Sequence, residues 1–72
     1  MLRDQIQEGR TYRAAHGGTR LVLSLFPKDA VCPPMVKYRV VTVSRPQERA
    51  DVGTEWGGSL SGFARWAQEE VV

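Results

Sequence analysis

The sequence predicts a small, mainly β member of the α+β class: a bent antiparallel sheet of four or five strands with a C-terminal α-helix. Two segments, Thr19–Phe26 (TRLVLSLF) and Met35–Ser44 (MVKYRVVTVS), alternate with the period of a strand. Proline and glycine clusters bound both of them. Leu60, Phe63, Ala64, Ala67 and Val71 then recur at the spacing of one helix face. Seventy-two residues make a single domain, 1–72, near the lower limit for folding without a metal or disulfides. Residues 1–8 read as a terminal turn or tail, 9–58 as the sheet and 59–71 as the helix.

In chain order, Leu2 and Ile6 stand four apart and can dock together, either as a helical turn or as a frayed terminus. Arg10–Ala14 alternates, and His16-Gly17-Gly18 supplies a tight reversal. In the next strand Leu21, Leu23 and Leu25 are expected on the core face, with Arg20, Val22, Ser24 and Phe26 opposite. Pro27 stops that strand, and Pro27–Pro34 is expected as a loop. Val36, Tyr38 and Val40 share one face of the following strand, while Lys37 and Arg39 project from the other. Past Val40 the alternation reverses at Val41 and Val43, which predicts a bulge or bend. Arg45–Gly53 is polar and is expected as an exposed, mobile loop. Thr54-Glu55-Trp56 reads as a short fourth strand ahead of a Gly57-Gly58 turn. Ser59 is the helix N-cap, and the helix should run over 60–71. Gly62 weakens its first turn by roughly 1 kcal/mol relative to alanine. The expected core is Tyr12, Leu21, Leu23, Leu25, Val36, Tyr38, Val40, Phe63, Trp66 and Ala67.

Four short patterns occur together: Gly9-x-x-Tyr12-Arg13, Gly18-x-Arg20-x-Val22, Val36-x-Tyr38 and Ser59-Leu60-x-x-Phe63-Ala64-Arg65-Trp66-Ala67. Across residues 9–71 this layout resembles small bacterial proteins carried by phages, prophages or plasmids and built as SH3-like β-barrels. The resemblance implies a barrel over residues 9–58 and a mobile-element setting. It carries no catalytic residues. The sequence departs from the tidier pattern in the long Arg45–Gly53 loop and in Pro33-Pro34.

Charge is unevenly spread. Seven of the ten basic residues lie between Arg10 and Arg45, beside one acidic residue, Asp29, whereas residues 46–72 hold five acidic and two basic residues. A basic sheet with an acidic end bears on partners rather than on fold. One cysteine, Cys32, rules out an internal disulfide and any all-cysteine zinc site, and one histidine, His16, leaves a mixed zinc site short of ligands. Cys32 has no base or orienting group suggested nearby. Gly57–Gly62 lacks the lysine of a P-loop and fits a turn plus cap better than a phosphate cradle. Glu48, Asp51 and Glu55 sit in a polar loop with nothing to tune them for acid–base work. No catalytic residue, cofactor or metal site is expected, and no segment reads as a signal peptide or membrane span, so the expected location is cytoplasmic.

Two functional classes remain. The first is a non-enzymatic module that binds a protein through a sheet edge and its arginines, with Trp56 either as an anchor or as a lid over the barrel end. Arginine outnumbers lysine eight to two, which suits bidentate and stacking contacts at interfaces. The second is a nucleic-acid-binding accessory protein, DNA or RNA, that uses Arg10, Arg13, Arg20, Lys37, Arg39 and Arg45. Against base stacking, Tyr38 shares its face with Val36 and Val40 while the cations project oppositely. A core this small also leaves homo-oligomerisation open.

Overall fold

The computed structural model describes residues 1–26 and 34–71. They form one antiparallel sheet with strands β1 (Thr11–Ala14), β2 (Thr19–Phe26), β3 (Met35–Thr42), β4 (Glu55–Ser59) and β5 (Ala67–Val71), in the order β4-β3-β2-β1-β5. One helix, α1 (Leu60–Trp66), joins β4 to β5, and 3₁₀ turns cover Arg3–Gln5 and Pro46–Asp51. β4 and β5 are both edges. The barrel expected over residues 9–58 is therefore an open sheet, because α1 carries the chain across one face between the strands that would have to meet. The expected Pro27–Pro34 loop, with Cys32, falls almost wholly outside the described residues.

The hairpin between β1 and β2 forms where glycine allows it. Gly17 takes φ +101°, and the Gly17 N–H donates to the Ala14 carbonyl at 3.0 Å. In β2, Val22 faces Tyr38 and Leu25 faces Val36, with two residues between them against one on β3, so Leu23 sits in a bulge. Arg20, Val22 and Leu25 thus share the inner face with Val36, Tyr38 and Val40. The expectation that Leu21 and Leu23 join the core is overturned: Val22 is fully buried, and both leucines are half-buried. Simple alternation cannot register an inserted residue, and a slip of one residue exchanges the two faces. A second bulge stands where the alternation reverses, since Thr19 faces Thr42 but Arg20 faces Val40, leaving Val41 extra.

The inner face carries the core. Tyr12, Val22, Val36, Phe63, Ala64, Ala67 and Ile6 are buried together, with Tyr38, Trp66, Leu25 and Leu60 packed partly against them. Phe63 stands edge-on to Tyr12, with centroids 5.9 Å apart, and lies 5.4 Å from both Tyr38 and Trp66. The Tyr12 hydroxyl donates to the Gln5 carbonyl at 2.9 Å and accepts from the Gln7 N–H at 2.8 Å. That pair of bonds seats Ile6 in the core. Leu2 does not join it and is 72% exposed.

Ser59 caps α1 as expected, its Oγ accepting from the Gly62 N–H at 3.0 Å. A Cβ at Gly62 would lie 2.9 Å from that oxygen, so the glycine that weakens the turn also makes room for the cap. The helix does not extend to residue 71. It ends at Trp66, and Ala67 turns extended to begin β5, where Thr11 faces Val71, Tyr12 faces Glu70 and Arg13 faces Glu69. A longer helix would leave β1 an unpaired edge; the strand instead satisfies its backbone groups and sets Glu69 and Glu70 beside arginines. β4 is also longer than expected and runs through Gly57 and Gly58, which face Lys37 and Val36. The Arg45–Gly53 segment is exposed but contains a regular 3₁₀ turn opened by Pro46. Among the described residues, no helix is long and apolar enough to cross a membrane.

Candidate functional site

The six cations singled out in the sequence do not form one surface. Arg13 bonds Glu69 at 2.9 Å and Arg10 meets Glu70 at 3.4 Å, each across the β1–β5 pair. Lys37 and Arg39 both reach Glu55 on β4, at 3.4 and 2.8 Å. Arg39, and then Lys37, hydrogen-bond the charged Glu55 carboxylate and hold its pKa below the ordinary carboxylate range. Arg20 lies on the inner face, where its guanidinium carbon sits 4.1 Å from the Trp66 ring centre and 4.7 Å from that of Tyr38. Arg45 makes no ion pair among the described residues. Four of the six are thus matched to carboxylates that arrive on the two edge strands.

A cleft of about 170 Å³ opens beside Arg20, lined by His16, Thr42, Ser44, Glu48, Asp51 and Trp66 among others. The Ser44 hydroxyl lies 3.0 Å from His16 Nδ1, and the His16 ring stands 6.2 Å from that of Trp66. These contacts tie the β1–β2 turn to the segment that follows β3. Among the described residues, no carboxylate is hydrogen-bonded to His16. Among the described residues, no three His, Cys, Asp or Glu side chains gather as a metal site requires.

The two sheet edges differ. On β5 the N-terminal ammonium donates to the Ala67 carbonyl at 3.2 Å, two glutamates line the strand, and its register shifts at Ala14. Charge, irregularity and a covering group are the usual ways of blunting an edge. β4 has a single charge, Glu55, followed by Trp56, Gly57 and Gly58. The bonds from Val40 N–H to the Thr54 carbonyl and from Leu60 N–H to the Pro34 carbonyl establish which β4 groups face β3. By that parity Trp56 and Gly58 direct their backbone inward, and Glu55 and Gly57 turn theirs to the open side. Trp56 is 52% exposed, with its Nε1 donating to Thr54 Oγ1 at 2.7 Å. The indole is held in place without being covered.

Among the described residues, nothing requires the two glycines of β4. Neither has positive φ; a Cβ at Gly58 would meet nothing within 4 Å, and one at Gly57 would make only an ordinary contact, 3.7 Å from the Val36 carbonyl oxygen. Glycine inside a strand costs about 0.5–1 kcal/mol relative to alanine. Glycine inside a strand commonly goes with a bulge, a tight bend or the close approach of a ligand or another backbone. Sequence reasoning singled out Trp56 but took Gly57-Gly58 for a turn. The helix cap at Ser59, directly after the pair, was the clue that the strand had to reach it. No protein family, curated protein or solved structure matches this chain.

Proposed function

We propose that this chain is a non-catalytic interaction module that binds an extended protein strand along β4. The observation that carries the reading is the pairing of an exposed, positioned indole with two sterically unrequired glycines on the one edge that is not blunted. A strand added there gains main-chain hydrogen bonds from Glu55 and Gly57, and Trp56 supplies the apolar anchor. On this reading, and on the sequence resemblance alone, the chain is a mobile-element accessory factor that docks on a protein. The nucleic-acid reading has less support. Arg10, Arg13, Lys37 and Arg39 already serve carboxylates, and Arg20 is stacked between rings, so phosphates would have to displace existing partners.

The test is to titrate isotope-labelled protein with pools of strand-forming peptides about eight residues long and to follow its amide signals. Binding should shift and protect the Glu55 and Gly57 amides and perturb the Trp56 indole. Perturbation confined to the Arg20 cleft, or tight binding to DNA or RNA that weakens steeply with salt, would overturn the reading.

A further inference from the structure

We infer that the strand accepted at this edge is β4 of a second copy of this chain, paired antiparallel about a two-fold axis at Gly57. The inference rests on β4 being the working edge and adds the identity of its occupant. Its basis is the self-complementarity of the segment Glu55–Ser59 (EWGGS). Trp56 and Gly58 flank Gly57 on the same face of the strand, as their partners Tyr38 and Val36 do on β3. Antiparallel pairing about Gly57 sets Trp56 opposite the partner's Gly58, and Gly58 opposite the partner's Trp56.

That pair falls between the hydrogen-bonded ones, where Cα atoms approach to about 4.5 Å and side chains are closest. Each indole then lies over bare backbone with no Cβ to displace it. One partner thus accounts both for the exposed tryptophan and for the glycines, which the single chain does not explain. At the axis Gly57 exchanges N–H and carbonyl bonds with the partner's Gly57, and the Ser59 N–H reaches the partner's Glu55 carbonyl, about four bonds in all. Charge agrees with this register. Glu55 faces the partner's Ser59 rather than the partner's Glu55, and its carboxylate is already matched by Lys37 and Arg39. The interface is isologous, so it closes at two copies and consumes the open edge of each.

Sedimentation velocity of the full chain from micromolar to millimolar concentration tests the inference, together with Gly57→Pro and Gly58→Val. Wild type should form a dimer, with Kd in the micromolar range. Gly57→Pro removes an N–H that β3 does not use and should weaken the dimer on the order of 100-fold, with the circular dichroism spectrum retained. If that variant does not fold, Gly58→Val decides, because a Cβ at Gly58 meets nothing within 4 Å among the described residues but the side chain blocks the partner's Trp56. A wild-type chain monomeric at millimolar concentration, or a dimer unaffected by the folded variant, overturns the inference. A monomer that still takes peptides along Glu55 and Gly57 leaves the proposed function standing; a monomer that takes none removes both.

Discussion

Tyr12 lies wholly inside, yet both hydrogen-bonding functions of its hydroxyl are used, one with Gln5 and one with Gln7. Tyr12→Phe should therefore cost about 1–2 kcal/mol although it changes almost no volume, since it strands a donor and an acceptor of the N-terminal segment. Urea unfolding measures that cost, and an unchanged midpoint would mean that the first residues are not tied down by this side chain. Phe63 touches three aromatic rings from α1, and Phe63→Ala should cost about 3–5 kcal/mol, comparable to the whole stability of such a domain. At Glu55 the effect depends on pH. Its folded-state pKa is depressed, so the stability it contributes is present above the ordinary carboxylate range and is lost as pH falls through the depressed value. Glu55→Gln should be less stable than wild type near neutrality and indistinguishable from it in strong acid. Urea midpoints at the two pH extremes give the comparison.

At the level of elements, the region after Ser59 shows where local pattern yields to hydrogen-bonding demand. Leu60, Phe63, Ala64 and Ala67 fit a helix through residue 67, and Gln68-Glu69-Glu70 are good helix formers. The chain nevertheless leaves the helix at Ala67, because β1 needs a second neighbour and β5 provides one with Arg10 and Arg13 already facing its carboxylates. Those ion pairs are exposed and worth little each, so it is the backbone pairing that decides. Removing residues 67–71 should lower Tm by roughly 10 °C or more, whereas Glu69→Ala should scarcely move it; thermal circular dichroism separates the two. Equal effects would mean that charge, not the ladder, holds β5. Ser59→Ala should cost about 1 kcal/mol through loss of the cap.

Across the whole molecule, a formal charge of +2 hides a compensated surface. The sequence places cations and carboxylates far apart in the chain, and the sheet brings them together, because Glu55, Glu69 and Glu70 ride on β4 and β5, the strands that flank the basic centre. Labelled DNA and RNA should accordingly show no complex at physiological salt, and any association at low salt should vanish with few released ions. Anisotropy titrations at several salt concentrations check this, and a steep slope would show that the arginines leave their carboxylates for phosphates. The open sheet adds a second molecular property. Among the described residues β5 is the charged, irregular edge and β4 the more open one, which is the edge the proposed strand pairing uses.

The strands β2 and β3, the Gly17 turn ahead of β2, the second bulge and the Ser59 cap were legible in the sequence, because each depends on neighbours within a few residues. The partial exposure of Trp56 was legible from its place in a glycine-flanked segment after a polar loop. The inner face of β2, the end of the helix, the length of β4 and the open form of the sheet were not. Leu23 becomes a bulge only against Tyr38 and Val36, β5 becomes a strand only against β1, and the cations gain carboxylate partners only once Glu55, Glu69 and Glu70 arrive beside them. Local sequence determined which segments could be strands or turns; tertiary pairing decided which face was buried and which edge remained open, since register and hydrogen-bond satisfaction are properties of two strands and never of one.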